Sequence, residues 1–230
     1  MSCIPKPFLN LAGVCAVTIA CARGGSLEDI YTRMDRAADH FTGLKSDFRR
    51  LDHTAVINED DVESGVFLLK RTKPHDERFR LDVNQPEPRQ YSFDGHKLEI
   101  YLPRAETVDE YEVGKYKDLA EQFLLLGFGT TSKELSAAYT VTLGGAETVA
   151  NEKTNRLELI PKSKDMLAHL SKVELWISDT LGVPVQQKLY TPGGNFHLFT
   201  YSNVMINPNL PDSAVKLNLP KTVKVEHPLK

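Results

Sequence analysis

The sequence predicts a mainly β (α+β) fold in which one antiparallel sheet of about ten strands carries two or three helices on its apolar face. Apolar and polar residues alternate with a period of two through most of the chain, as in residues 97–102, which is typical of strands with one buried face. The dipeptide Asp94-Gly95 separates two such segments, as the turn of a β-hairpin does. Connections between the segments are short, which favours antiparallel pairing.

Three segments have helical character. The first predicted helix begins after Ser26, with Asp29 three residues on as in a capping box, and ends near Gly43. A second is predicted over residues 115–128, where apolar side chains surround the end of the helix and indicate burial on every side. A third, shorter one is predicted over residues 131–138. Strands are predicted at residues 44–57, 62–71, 78–83, 90–93, 97–102, 155–160, 173–178, 185–190, 196–201, 215–219 and 223–226.

Residues 1–22 have the composition of a secretory signal peptide. The segment has no acidic residue and one cation, Lys6, followed by an uncharged stretch that is too short to span a bilayer. Ala20-Cys21-Ala22 suits cleavage before Arg23. The residues that end in Cys21 also resemble a lipobox, in which that cysteine would carry a lipid. An uncleaved, unstructured N terminus is the remaining alternative.

The rest of the chain, residues 23–230, is predicted to be one exported domain. All three cysteines, Cys3, Cys15 and Cys21, lie in the signal segment, so the domain would contain no disulfide. It is long enough to bury a core without covalent cross-links. No repeat, low-complexity tract or linker divides it. We therefore expect a periplasmic protein without thiol chemistry.

Composition and motifs argue against several functional classes. The net charge is −3 with the signs interspersed, so no basic stripe is available for nucleic acid, and the mean hydropathy of −0.32 is that of a water-exposed domain. The seven histidines are scattered, and no H-E-x-x-H, G-x-S-x-G or phosphate-loop motif is present. The sequence therefore predicts no catalysis, no cofactor and no metal ion, and leaves open only a catalytic pair assembled from distant strands.

A wide sheet with one apolar face needs more cover than two or three helices provide. The sheet can fold on itself as a sandwich or closed barrel with a filled core. It can also curve around an apolar cavity that the helices close incompletely. Periodicity alone favours the filled core.

Several short motifs follow one another along the chain in a characteristic order. After the opening helix they are Phe41-x-x-Leu44-x-Ser46-x-Phe48, Gly65, Lys73-Pro74, Phe79-Arg80-Leu81, Tyr91-x-Phe93-Asp94-Gly95-x-x-Leu98-x-x-Tyr101-x-Pro103, Leu157-x-Leu159-x-Pro161, Asp179-x-x-Gly182-x-Pro184, Phe199-x-x-x-Asn203 and Leu219-Pro220-x-x-Val223-x-Val225. In this order they resemble the LolA family of periplasmic lipoprotein carriers, which has LolB and the RseB N-terminal domain as relatives of the same fold. The resemblance spans nearly all of residues 23–230.

The resemblance implies an incomplete barrel whose concave apolar face accepts acyl chains beneath a helical lid. Helix 115–128 is the expected lid or plug, and an ordinary core helix is the alternative. In the family an arginine just before a proline, at the end of the strand that Gly65 opens, locks the lid by hydrogen bonds. Counting from Gly65 places Arg71 there, and counting back from Pro74 places Lys73 there. The residues expected to line the apolar cavity are Phe67, Leu69, Phe79, Leu81, Leu98, Ile100, Phe123, Leu126, Phe128, Val173, Leu175 and Ile177.

The implied function is that of a monomeric carrier. It would bind acyl chains of lipoproteins or lipids and move them across the periplasm towards the outer membrane, between a donor and an acceptor protein of the two membranes. Two alternatives remain within the same fold: an RseB-like lipid sensor that binds a signalling partner, and a LolB-like lipoprotein anchored through Cys21. The length of the chain favours a single-domain carrier over an RseB-like protein with a second domain.

Overall fold

The computed structural model describes residues 25–73, 76–112 and 126–228, and it confirms the mainly β fold. The strands are β1 (Gly43–Thr54), β2 (Glu59–Lys73), β3 (Asp76–Gln85), β4 (Arg89–Phe93), β5 (Lys97–Leu102), β6 (Thr107–Glu112), β7 (Tyr139–Val149), β8 (Glu152–Pro161), β9 (Lys172–Ser178), β10 (Pro184–Tyr190), β11 (Phe196–Ile206) and β12 (Lys224–Glu226). The helices are α1 (Leu27–Asp39), α2 (Ser132–Ala138), the single turn α3 (Lys164–Leu167) and a 3-10 helix (Asp212–Val215).

All twelve strands belong to one sheet with the order β12-β6-β5-β4-β3-β2-β1-β11-β10-β9-β8-β7. Its two edges, β12 and β7, are not paired with each other in the described part of the chain, so the sheet is an incomplete barrel rather than a closed one. Every neighbouring pair is antiparallel except β12, which pairs parallel to β6. The expectation of antiparallel pairing is therefore wrong at this edge, because the chain reaches β6 by crossing the sheet and not by a hairpin.

The strand count is somewhat larger than predicted. β6 and β7 have no counterpart among the predicted strands, and the strand predicted over residues 215–219 is wrong. Val215 ends the 3-10 helix, is buried, and its carbonyl accepts a hydrogen bond of 2.9 Å from the hydroxyl of Ser92. The alternating apolar residues of this segment thus cover the sheet without joining it.

Most of the buried apolar side chains lie on one face of the sheet, which we call the inner face. Leu69 of β2 stands opposite Leu44 of β1 and Phe79 of β3, and Phe79 stands opposite Phe93 of β4. All four side chains are almost fully buried. Cross-strand apolar pairs of this kind stabilise a sheet, and the alternation that predicted them is what puts them on the same side.

Helices α1 and α2 pack over part of the inner face. The predicted capping box is confirmed, because Ser26 and Asp29 exchange hydrogen bonds at the first turn of α1. Asp35 of α1 accepts hydrogen bonds of 2.6 Å and 2.7 Å from the backbone N–H and hydroxyl of Ser132, so the two helices are joined at the start of α2. None of the helices in the described residues has the length and apolar composition needed to cross a bilayer.

The opposite, outer face is mostly polar and is crossed by the chain after β11. Lys70 of β2 donates to the carbonyl of Leu210 at 2.7 Å and so fastens this crossing segment. Further along the sheet Glu174 is buried on the outer face. Burial alone would raise the pKa of Glu174, but hydrogen bonds from Tyr190 and Lys172 outweigh it and hold that pKa below its ordinary value of 4.5.

Candidate functional site

The structure places most of the predicted cavity residues in one apolar cluster on, or packed against, the inner face. Leu98 and Ile100 of β5 are half-buried at the margin of this face. Phe123 lies outside the described residues. The remaining ones are at most 7% exposed: Phe67, Leu69, Phe79, Leu81, Leu126, Phe128, Val173, Leu175 and Ile177. That this cluster receives a ligand stays a prediction.

Residues 126–131 join the predicted lid to α2, and we call them the root segment. Residues 115–125 of the predicted helix lie outside the described residues, while its last three residues form a turn and not a helix. Gly127 and Gly129 have φ values of +89° and +66°, which right-handed helix geometry does not allow. Between them, Phe128 is 1% exposed, with its ring centroid 6.2 Å from that of Phe67 and 5.2 Å from that of Tyr201.

Arg71, at the end of the inner face of β2, holds the root segment by its backbone. Its Nη1 donates to the carbonyl of Gly129 at 2.9 Å and its Nη2 to the carbonyl of Phe128 at 3.4 Å. Its Nε donates to Glu77 at 2.7 Å, and its guanidinium carbon lies 5.3 Å from the ring centroid of Phe41. One side chain therefore joins β2, β3, the link between α1 and β1, and the root segment, as the fork of a guanidinium permits.

The second candidate for a lock, Lys73, is placed differently. It is exposed at the end of β2 and stands opposite Asp76 of β3. Of the two candidates, Arg71 is thus the one that contacts the root segment in the described residues. The function of that contact as a lock on a lid stays a prediction.

A buried glutamine of β10 also holds the root segment. In the sheet, β10 and the β2 strand that carries Arg71 lie on opposite sides of β1. Gln187 of β10 is 1% exposed; its Nε2 donates to the carbonyl of Leu126 at 2.6 Å, and its Oε1 accepts from the hydroxyl of Tyr201 at 3.1 Å. Burial raises the pKa of Tyr201, so the phenol stays protonated and able to donate. Gln187 was not among the residues predicted from the sequence, although a signal was available: it is the polar residue at an inward position of β10, between Val185 and Leu189.

Gly129 is required by its surroundings as well as by its φ value. A Cβ at this position would collide with Nη1 of Arg71 and lie 2.6 Å from Cδ1 of Phe41. The absence of a side chain is therefore what lets the guanidinium reach the carbonyl of the root segment.

The arrangement is an apolar surface with a few polar anchors for backbone groups. Within residues 25–73, 76–112 and 126–228, no group of three or more His, Cys, Asp or Glu side chains is placed to hold a metal ion. Its polar groups, the side chains of Arg71 and Gln187, hold the root segment over the inner face.

An open antiparallel sheet with a covered apolar inner face defines the class of incomplete-barrel proteins. The chain belongs to the LolA family: the model of the outer membrane lipoprotein carrier protein LolA matches residues 39–218. It has no significant sequence match among curated proteins.

Solved structures share the fold at low sequence identity. One is MucB, with a TM-score of 0.53 and 14% identity, covering 83% of this chain and 62% of MucB. This chain thus spans less than two thirds of the length of MucB. Another is an uncharacterized conserved protein from Thermus thermophilus, with a TM-score of 0.54 and 13% identity, covering 88% of this chain and 99% of that protein. At these identities the likeness shows the fold alone.

Proposed function

We propose that the protein is an exported carrier that binds acyl chains of lipoproteins or lipids on its inner face and moves them across the periplasm towards the outer membrane. The observation that carries the proposal is the continuous apolar inner face under a segment held by only a few polar anchors. Each CH₂ group withdrawn from water contributes about 0.8 kcal/mol, so an acyl chain gains by replacing apolar protein groups on such a face.

The described state is the closed one in this proposal. Phe128 occupies the space between Phe67 and Tyr201 that an acyl chain would take. Burial of a phenylalanine contributes about 1.5–3 kcal/mol, which a chain of several CH₂ groups exceeds. Binding then consists of exchanging Phe128 for the acyl chain, with Arg71 and Gln187 releasing the root segment as it moves away.

Export and delivery complete the proposal. Residues 1–22 would direct the chain to the periplasm, where it would act as a monomer between a donor and an acceptor protein in the two membranes. Lipid attachment at Cys21 would instead fix it at a membrane as an acceptor. A sensor of lipids that binds a signalling partner would use the same face. No catalytic step is part of the proposal.

The proposal is tested by purifying the protein from a bacterial periplasm without detergent. We expect native mass spectrometry to detect bound species that dissociate on denaturation with lipid masses. We also expect a pyrene-labelled acyl ligand to pass from donor to acceptor vesicles faster with the protein than without it. Absence of both bound lipid and probe binding would overturn the proposal, whereas binding without transfer would favour the sensor.

A substitution at Phe128 tests the exchange itself. Phe128→Ala is expected to lower the thermal stability, as phenylalanine truncations in cores do by about 3–5 kcal/mol, and at the same time to increase the affinity for the acyl probe. Phe196→Ala is the matched control, because Phe196 is a half-buried aromatic residue of the outer face. A folded Phe128→Ala protein with unchanged or weaker probe affinity would contradict the exchange.

A further inference from the structure

A cavity of about 180 Å³ opens at the end of the inner face, beside the β3–β4 and β5–β6 turns. At this volume it can hold several waters and so a group of the size of a phosphate, but not a whole acyl chain. Its lining consists of Glu87, Pro88, Arg89, Leu102, Arg104 and Ala105. The lining therefore contains two guanidinium groups, one carboxylate and three apolar side chains.

The cavity continues the apolar inner face. Arg89 precedes Tyr91 by two residues on β4, and Leu102 follows Ile100 by two residues on β5, while Tyr91 and Ile100 stand opposite each other. Because side chains two residues apart on a strand share a face, all four point to the inner side. The guanidinium carbon of Arg89 lies 5.9 Å from the ring centroid of Tyr91. A ligand can thus touch the charged cavity and the apolar face at once.

The two arginines retain donors for a ligand. Arg89 is held by Glu63, which pairs with its Nη2 and is also paired at 2.7 Å with Nη2 of Arg50. The Nε of Arg89 is buried and donates to no acceptor among the described residues. Arg104 pairs with Glu87 through Nη1 at 3.0 Å, and its side chain is 74% exposed. Each guanidinium carries five N–H donors, and this fork matches the oxygens of a phosphate.

We propose that this cavity binds the phosphate of an anionic phospholipid head group, with Arg89 and Arg104 as its donors and the acyl chains laid along the inner face from Tyr91 onwards. The proposal rests on the proposed lipid carrier and adds the chemical class of lipid that it takes. The two guanidinium groups could also hold a soluble phosphate. The apolar face that begins two residues away favours the lipid.

The experiment compares two pyrene-labelled ligands with identical acyl chains, phosphatidylglycerol and diacylglycerol, in titrations of the full chain. We expect phosphatidylglycerol to bind about tenfold more tightly, as one charge-assisted hydrogen bond gained by the phosphate would provide. Arg104→Gln is expected to remove most of this preference while leaving the diacylglycerol affinity within about twofold. Because Arg104 is exposed, this variant keeps the fold. The second variant is Arg89→Lys, which keeps the charge beside Glu63 but removes the guanidinium fork.

Controls separate the sources of the effect. Arg49→Gln removes an exposed guanidinium of the outer face and should change neither affinity. Equal affinities of the unmodified protein for both lipids, or a preference unchanged in both variants, would overturn the head-group site while the carrier stands. Glycerol phosphate binding as tightly as phosphatidylglycerol would overturn the lipid assignment in favour of a soluble phosphate. Binding of neither lipid would overturn the carrier itself.

Discussion

The contact between Arg71 and the root segment gives the sharpest test of how the inner face is closed. Arg71→Lys keeps the positive charge, but an ammonium group cannot reach both Glu77 and the carbonyls of Phe128 and Gly129. Hydrogen bonds from charged donors contribute about 1.5–3 kcal/mol each. Because the side chain of Arg71 is only 18% exposed, water compensates little of the loss. We therefore expect the free energy of opening the root segment to fall by about 1.5–3 kcal/mol.

Hydrogen exchange measures this free energy locally. A fall of that size corresponds to about 10- to 100-fold faster exchange of the amides in residues 126–130. Lys73→Arg, at the exposed second candidate, should leave exchange there unchanged. Exchange of residues 126–130 within about twofold of the unmodified protein would refute the anchor. Equally faster exchange throughout the sheet would also refute it, because Arg71 would then act on global stability through Glu77.

Three further predictions concern the glycine, the glutamine and the carboxylate described above. Gly129→Ala should lower the free energy of unfolding by about 1–3 kcal/mol more than Gly193→Ala. Both glycines have positive φ, but a Cβ at Gly129 would collide with Arg71, whereas nothing lies within 4 Å of a Cβ at Gly193. Equal shifts in melting temperature would contradict this. Gln187→Leu should cost about 1–3 kcal/mol in urea unfolding, since two buried polar groups lose their partner, and an unchanged midpoint would show that they find others. For Glu174 the folded pKa is lowered, so its contribution is complete above pH 4.5 and is lost as the pH falls through the folded pKa. Glu174→Gln should therefore lose less stability than the unmodified protein between about pH 7 and about pH 3, and parallel losses in urea unfolding would contradict the ion pairing.

The inner face was predictable because alternation is a local property of the sequence. On β3, Phe79, Leu81 and Val83 are buried at inward positions and alternate with charged residues. The Asp94-Gly95 turn was predictable for the same reason: Gly95 has a φ of +96°, and the Asp94 carboxylate accepts from the backbone of Lys97 at 2.8 Å. Such features need no information from distant residues.

The edge strand β7 was not predictable in this way, whereas the other edge strand, β12, was predicted at residues 223–226 without its parallel pairing. β7 carries little alternation, because most of its residues are exposed and Tyr139 alone among them is buried. Residues 215–219 show alternation without being a strand. A period of two indicates one covered face, but it does not report whether the backbone pairs with a neighbour.

Local patterns were enough to predict the class of fold, the apolar residues of the inner face, the start of α1 and the resemblance to the LolA family, since each depends on residues close together in the chain or on their order. The folded chain was needed to show that Arg71, and not Lys73, contacts the root segment, and that Gln187 of β10 holds the same segment 61 residues away in the chain. It also brought Arg89 and Arg104 to one cavity. These are contacts between side chains and distant backbone groups, and their partners are fixed by the path of the chain across twelve strands, which no local pattern records.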